Sequence, residues 1–283
     1  MLHFAFVTCS SKPELAIDDW EVANELNSSG IQIQAVPWDG DPVDWTLFDG
    51  IILRSCWNYH LQPQKFIRWL DLLEKQRLRV FNPVTTLKSN LHKSYLLTLQ
   101  QNGVRIPETQ LISQGSSVNL HEIMKSRGWE KAVVKPAISA TAWKTFVAHA
   151  DDTHDEQSFQ NNLLECDLLI QNFISEIESG ELSLIFFQKE FSHAVIKKPK
   201  VGDFRVQDNF GGTIEPLNPP VGIVKQAQSI LNHIAEPLLY ARVDGLVVNH
   251  QFLLMELELI EPVLFFKQAP AAAQLFTKAL LNL

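Results

Sequence analysis

Two glutamates, Glu256 and Glu258, lie one residue apart in the otherwise apolar stretch LLMELELI at residues 253–260. If this stretch is a strand, both side chains face the same side of the sheet, because side chains alternate along a strand. Two neighbouring carboxylates repel each other and lose hydration, so they need cations or water around them. The pattern therefore indicates either a solvated sheet face or a site for Mg²⁺, which prefers carboxylate, water and phosphate oxygens.

A third carboxylate, Asp244, lies on the strand that precedes these glutamates, and the hairpin between the two strands decides its position. With a three-residue loop at 249–251, Val248 pairs with Phe252 and Asp244 lies opposite Glu256. A two-residue loop would place the two carboxylates on opposite faces of the sheet. The register thus decides whether the three carboxylates form one site.

Three basic groups could meet a polyanion. Lys135 ends the apolar run AVVK and precedes a loop of small residues at 137–145, Lys93 follows an Asn-Pro break, and a basic cluster, KKPKVGDFR, spans 197–205. Backbone N–H groups of a small-residue loop can approach phosphates, and a nearby lysine adds a point charge. Solvated lysines and a basic surface turn are the alternatives, since the chain contains neither GxxxxGK[ST] nor GxGxxG.

These groups need elements that position them, and the first third of the chain alternates strands with helices. The predicted strands span residues 4–7, 31–36, 48–53 and 78–81, and the predicted helices span residues 18–29 and 66–73. This alternation predicts an open α/β domain with a parallel sheet. The loops at 8–11 and 54–59 follow strands, and ligands bind at such strand ends.

The remainder of the chain predicts a helix at 95–101 and then a small segment of short strands that includes residues 168–171. The last third predicts an antiparallel sheet from strands at 183–187, 193–196, 241–248 and 252–259. The stretch at 209–222 contains two adjacent glycines and three prolines, so we expect it to be the longest loop.

Composition excludes several classes of protein. The 283 residues are 46% hydrophobic with a net charge of −8, which argues against a general binder of nucleic acids or anionic membranes. No stretch approaches the ~18 apolar residues of a membrane span, and the first residues predict a strand and not a signal peptide. The three cysteines form no CxxC pair, which favours a reducing compartment, and we expect a cytoplasmic protein.

Several motifs occur in a fixed order along the chain: RSCWNY at 54–59, NP at 82–83, GELS at 180–183, SHAV at 192–195, GDFRVQ at 202–207 and ELELIEP at 256–262. Together with the lysines and carboxylates, this order resembles the ATP-grasp superfamily, in particular ligases similar to prokaryotic glutathione synthetase and D-cycloserine synthetase. The resemblance implies an N-terminal open α/β (pre-ATP-grasp) domain at 1–88, a small lid at 89–168 and an antiparallel C-terminal domain at 169–283.

The resemblance also implies a role for individual residues. ATP would be bound by Lys93, Lys135, Ser139, Gln171, Asn172, Phe173, Ile174 and Glu181. Magnesium would be held by Asp244, Glu256 and Glu258, and the transferred phosphoryl group would be stabilised by Arg205 with Lys197 nearby. The acceptor substrate would be faced by Arg54, Ser55 and Trp57.

The implied reaction is ATP- and Mg²⁺-dependent ligation of a small, amino-acid-like carboxylate to an amine through an acyl phosphate. Partners would be small molecules, with no nucleic acid or membrane, and a homodimer is left open. Relatives usually carry glycines in the loop at 137–145, which here has none, and an aspartate where this chain has Asn58. The missing glycines motivate an alternative, a catalytically weak ATP-binding regulator with the same fold.

Overall fold

A computed structural model describes residues 2–200 and 211–283, which form three sheets covered by helices. The first sheet is parallel, with strand order β2-β1-β3-β4. Its strands are β1 (Leu2–Thr8), β2 (Ile31–Pro37), β3 (Gly50–Leu53) and β4 (Val80–Phe81). The helices of this region are α1 (Asp19–Ser28), α2 (Pro63–Lys75) and α3 (Val84–Leu91). The predicted parallel α/β region is confirmed.

Both faces of the first sheet are buried, because alternate residues of β1 enter different cores. Phe4 and Phe6 pack in one cluster with α1 and with the C-terminal helix α8 (Ala272–Leu281). Ala5 and Val7 pack in another with the apolar stripe of α2. That stripe recurs with helical spacing and comprises Phe66, Trp69, Leu70 and Leu73. The first of these clusters also includes Tyr240, which belongs to the C-terminal sheet described below, so this cluster joins the first sheet to the C-terminal sheet.

The second sheet is antiparallel with strand order β5-β8-β6-β7. Its strands are β5 (Thr109–Ile112), β6 (Lys131–Pro136), β7 (Phe146–His149) and β8 (Leu168–Asn172). The connecting helices are α4 (Tyr95–Gln101), α5 (Leu120–Arg127) and α6 (Thr153–Glu165). The domain boundary predicted at residue 168 falls inside β8, which pairs with both β5 and β6, so this sheet continues to Asn172.

The third sheet is antiparallel with strand order β11-β10-β9-β12-β13. Its strands are β9 (Glu181–Phe187), β10 (Glu190–Lys198), β11 (Thr213–Leu217), β12 (Tyr240–Val248) and β13 (Gln251–Glu258), with helix α7 at Val221–Ile230. The prediction of one long loop at 209–222 is wrong for β11 and for the start of α7. The proline in β11, Pro216, is tolerated because β11 is an edge strand, which among the described strands pairs with β10 alone.

The hairpin of β12 and β13 brings Asp244 opposite Glu256 by combining a two-residue turn with a β-bulge. Its turn has two residues, Asn249 and His250, both with positive φ, and Val248 pairs with Gln251. A bulge between Asp244 and Gly245 then shifts the register by one residue, so that Asp244 lies opposite Glu256. A Cβ on Gly245 would lie 2.3 Å from the Phe252 ring, which explains the glycine at the bulge. Of the two loop lengths considered, the two-residue one is present, yet the bulge gives the pairing of Asp244 with Glu256 that was expected of a three-residue loop.

The outer edge of β13 is hydrogen-bonded to groups outside the sheet. Four backbone N–H groups donate outward: Phe252 to Gln226 Oε1 (2.8 Å), Leu254 to the Arg105 carbonyl (2.9 Å), Leu257 to the Tyr95 hydroxyl (3.0 Å) and Leu259 to Asn90 Oδ1 (3.0 Å). Successive donors are two residues apart, except that Leu257 follows Leu254 by three residues, because the bulge adds one residue to β13 between them.

Within the described residues, no helix has the length and hydropathy of a membrane span.

Candidate active site

A cavity of about 480 Å³ is lined by residues of the second and third sheets and of the loops and helices around them, including the loops that follow β1 and β3. It brings together most of the predicted site residues. Those that line it are Trp57, Lys93, Lys135, Ser139, Gln171, Asn172, Phe173, Ile174, Glu181, Lys197, Asp244, Glu256 and Glu258. Residues from distant parts of the sequence therefore meet at one site.

Asp244 is the most buried carboxylate of this site, with 2% of its surface exposed. It accepts hydrogen bonds from Ser183 Oγ (2.6 Å), Arg242 Nη2 (2.9 Å) and Lys197 Nζ (3.1 Å). Burial would raise the pKa of Asp244, but Arg242 and Lys197 outweigh it and hold that pKa below its ordinary value. Asp244 is therefore ionised at neutral pH.

Glu256 is partly buried and pairs with Lys93, whose Nζ lies 2.5 Å from Glu256 Oε1. The same ammonium group donates to the Ser139 carbonyl at 3.1 Å, so it ties β13 to the loop that follows β6. Burial acts to raise the pKa of Glu256, but the ammonium groups of Lys93 and Lys135 more than offset it and the pKa is lowered.

Glu258 binds the guanidinium group of Arg242. Burial raises the pKa of Glu258 to about 7; Arg242 opposes this shift, and the charges of Asp244 and Glu256 add to it.

Within the described residues, no three Asp, Glu, His or Cys side chains converge closely enough to hold an ion by themselves. The chemistry of Asp244, Glu256 and Glu258 nevertheless fits Mg²⁺, because all three side chains offer carboxylate oxygens.

Lys135 is the penultimate residue of β6 and is buried, with 9% of its surface exposed. Burial lowers the pKa of Lys135 to about 8, and the nearby charge of Lys93 acts in the same direction. Among residues 2–200 and 211–283 its ammonium group has no carboxylate within salt-bridge distance. A buried ammonium group without a counter-ion is suited to an anionic ligand.

The loop after β6 covers the cavity and contains backbone strain. Thr141, Ala142 and Lys144 have φ of 53°, 56° and 52°, although none of them is glycine. Such conformations cost L-residues about 1 kcal/mol or more each. The ring of Trp143, in the same loop, lies 5.4 Å from that of His60. The loop thus occupies the left-handed region without the glycines that usually permit it.

Arg54 and Ser55 do not line the cavity, in contrast to the predicted acceptor role. Arg54 is 1% exposed, and its Nε and Nη2 donate to Asp19 Oδ1 at 2.9 and 2.7 Å. Its guanidinium group lies 5.5 Å from the ring centre of Tyr240. Ser55 is equally buried. Arg205, together with the rest of the GDFRVQ motif, lies outside the described residues.

Three charged residues of the cavity were not predicted: Lys12, Arg242 and Glu261. Arg242 precedes Asp244 by two residues on the same strand, so strand periodicity could have indicated it. Glu261 belongs to the ELELIEP motif, where it received no role. Lys12 follows β1 at the end of a parallel strand, a position where ligands bind.

Comparison with known proteins identifies the family. Residues 89–261, more than half of the chain, match the family described as the RimK-like ATP-grasp domain. The chain belongs to this family. Residues 4–82 match the N-terminal domain of D-cycloserine synthetase DcsG, so the two matches together cover most of this ATP-grasp protein.

Individual relatives are distant in sequence. The cycloserine biosynthesis protein DcsG of Streptomyces lavendulae is 23% identical over 177 residues, which are 59% of this chain and 58% of that protein. The alignment thus spans little more than half the length of this relative. The crystal structure of D-cycloserine synthetase DcsG superposes with a TM-score of 0.86 at 21% identity, over 99% of both chains.

D-alanine–D-alanine ligase from Bacillus anthracis, solved in complex with ATP, has a TM-score of 0.69 at 15% identity, over 99% of this chain and 95% of that one. At such identities the likeness shows the fold. The predicted family and the α/β fold with an ATP-grasp module are confirmed. The roles of individual residues stay predictions.

Proposed function

We propose that this ATP-grasp protein is an ATP-dependent carboxylate–amine ligase that activates a small, amino-acid-like substrate as an acyl phosphate. The observation that supports this most directly is the single cavity in which the buried Lys135 and three carboxylates meet. ATP binding follows from the fold family, and the ligase reaction is the chemistry that these groups serve best.

ATP would lie between the second and third sheets. Lys93 and Lys135 would contact its phosphates, and Ser139 in the covering loop would approach them. The adenine would bind beside the segment 171–174, next to apolar cavity residues such as Val133 and Met255, and Glu181 would lie near the ribose. This arrangement places the charged end of the nucleotide at the carboxylates of β12 and β13.

Asp244, Glu256 and Glu258 would hold Mg²⁺. The ion, when bound, would neutralise charge on the β- and γ-phosphates. To serve as ligands, the three carboxylates would exchange part of their contacts with Lys93, Lys197 and Arg242, and those cations would then be available to phosphate oxygens.

In the proposed reaction, a carboxylate oxygen of the substrate attacks the γ-phosphorus and ADP leaves. An amine then attacks the carbonyl carbon of the acyl phosphate, and inorganic phosphate leaves as the amide forms. The chain supplies position and charge, which account for most of the rate in such transfers. Lys197, held by Glu181 and Asp244, lies beside the carboxylates, and Arg205 remains our proposed stabiliser of the transferred phosphoryl group.

ATP affinity should depend on the protonation of Lys135. A bound polyanion favours the ammonium form and raises the pKa of Lys135 above its value of about 8 in the free chain. The affinity for ATP is therefore highest below pH 8 and falls as the pH rises above it. We expect ATP binding, measured by calorimetry, to weaken about tenfold between pH 7.5 and pH 9.5. Lys135→Met should bind ATP at least tenfold more weakly at pH 7.5, with no such pH dependence, and bind adenosine normally. Equal losses for ATP and adenosine would contradict the phosphate role.

Hydroxylamine trapping tests the acyl phosphate directly. We expect hydroxylamine to capture the activated carboxylate as a hydroxamate only when ATP, Mg²⁺ and a suitable carboxylate are all present. Arg205→Lys should keep ATP binding and lose most hydroxamate, because lysine cannot bind two phosphoryl oxygens as a guanidinium group does. Acceptor-dependent ADP formation without hydroxamate would indicate a kinase. Tight ATP binding without turnover on any carboxylate would indicate the regulator.

A further inference from the structure

The charged groups of the cavity are unevenly paired. Five basic and five acidic side chains line it within the described residues. Seven of them are joined by salt bridges: Lys93, Lys197 and Arg242 with Glu181, Asp244, Glu256 and Glu258. The three without such a partner among residues 2–200 and 211–283 are Lys12, Lys135 and Glu261. Since Lys135 is suited to the nucleotide phosphates, Lys12 and Glu261 remain for a second ligand.

Lys12 and Glu261 both contact the same tryptophan, Trp57. The ammonium group of Lys12 lies 5.1 Å from the ring centre of Trp57, and the indole N–H of Trp57 donates to the Glu261 carbonyl at 3.3 Å. Trp57 thus contacts the ammonium group of Lys12 and the main chain of Glu261, and all three residues line the same cavity.

This part of the cavity lies where the topology of the first sheet opens a crevice. Lys12 follows β1 and Trp57 follows β3, and these two strands are neighbours from which the chain departs in opposite directions to β2 and β4. In open parallel sheets, ligands bind at such a point, outside the carboxyl ends of the strands.

Glu261 is 8% exposed, and its carboxyl oxygens accept no hydrogen bond from the described residues. Burial, aided by the charge of Glu258, raises the pKa of Glu261 well above its ordinary value, as expected of a carboxyl group without a close cation. A buried carboxylate of this kind gains most from a ligand that brings its own cationic nitrogen.

We infer that Lys12 and Glu261 form the acceptor subsite for an α-amino acid, with the ammonium group bound by Glu261 and the carboxylate held by Lys12 beside Trp57. The inference rests on the proposed function, because it assigns the substrate of that reaction. We expect a small acceptor, since the cavity of about 480 Å³ would also have to hold the nucleotide.

Ligand-observed saturation-transfer NMR on the full chain with ADP and Mg²⁺ tests this assignment. The probes are the protein amino acids in L and D form and, for each one that binds, the matched acid without its amino group. We expect at least one amino acid to bind the unaltered chain, and its desamino counterpart to bind at least tenfold more weakly.

Two variants separate the two contacts. Glu261→Gln should weaken the amino acid at least tenfold and leave the desamino acid unchanged, whereas Lys12→Met should weaken both. Glu21→Gln and Lys125→Met make the same changes at exposed helical positions and should alter neither. If Glu261→Gln does not fold, Glu261→Asp keeps the charge, shortens its reach and should weaken only the amino acid.

Nucleotide binding, measured by calorimetry in the same samples, distinguishes the possible failures. ADP binding with no amino acid bound, or with amino-acid affinity unchanged in Glu261→Gln, would overturn the subsite and leave the proposed ATP chemistry standing. Failure of the unaltered chain to bind ADP would overturn both.

Discussion

Replacing Glu256 by glutamine should reduce acceptor-dependent phosphate release about a hundredfold or more while the chain stays folded. Glu256 pairs with Lys93 at 2.5 Å and lies opposite Asp244, so it connects the predicted phosphate-binding lysine with the predicted magnesium ligands. Glutamine preserves the shape of the side chain but removes the charge that the pair with Lys93 and the proposed Mg²⁺ site use. Phosphate release and thermal unfolding, measured on the same preparation, check the expectation.

Glu215→Gln is the matched control for this variant. It makes the same chemical change in the third sheet and also removes an ion pair, that of Glu215 with Lys198, but both side chains are about half exposed. We expect its turnover to remain within twofold of the unaltered chain, since exposed ion pairs contribute little. Unchanged turnover in Glu256→Gln would remove Glu256 from the proposed metal and phosphate site.

Replacing Arg54 by methionine should lower the free energy of unfolding by about 3–5 kcal/mol, because it leaves Asp19 buried without its only salt-bridge partner among the described residues. The side chains of Arg54 and Asp19 are 1% and 2% exposed, so water cannot replace the lost contact. Denaturant unfolding monitored by circular dichroism measures the change.

The double variant Asp19→Leu/Arg54→Met tests the reason for this loss. Removing both charges also removes the uncompensated carboxylate, so we expect much of the lost stability to return. Both variants should show near-normal acceptor KM wherever they remain folded, because Arg54 does not line the cavity. A large rise in KM with unaltered stability would instead support the acceptor role first predicted for Arg54.

The hairpin of β12 and β13 shows how far the sequence could specify the site. Its strands and the shared face of Glu256 and Glu258 follow from the alternation of apolar residues. The turn could not be derived in the same way, because Asn249-His250 is a rare occupant of a two-residue turn and has φ of 51° and 61°. Gly245 inside a strand was the available signal for the bulge that restores the pairing of Asp244 with Glu256.

The direction of a side chain and its contacts with distant parts of the chain were harder to predict from the sequence. The position of Arg54 after a buried strand predicted a ligand-binding loop, and Trp57 of the same loop does line the cavity. The buried partner of Arg54 is Asp19, which lies 35 residues away at the start of α1. Trp57 contacts Lys12 and the main chain of Glu261, which follow different sheets and are far apart in sequence, so no local pattern indicates these contacts.

The hydrogen bonds along the outer edge of β13 have a consequence for how the protein behaves at high concentration. An edge strand with free backbone N–H groups is a template on which another chain can add a strand and begin aggregation. Here the outward N–H groups from Phe252 to Leu259 already donate to Gln226, Arg105, Tyr95 and Asn90. The strand that carries Glu256 and Glu258 is therefore closed to intermolecular sheet extension, although it is the last strand of its sheet.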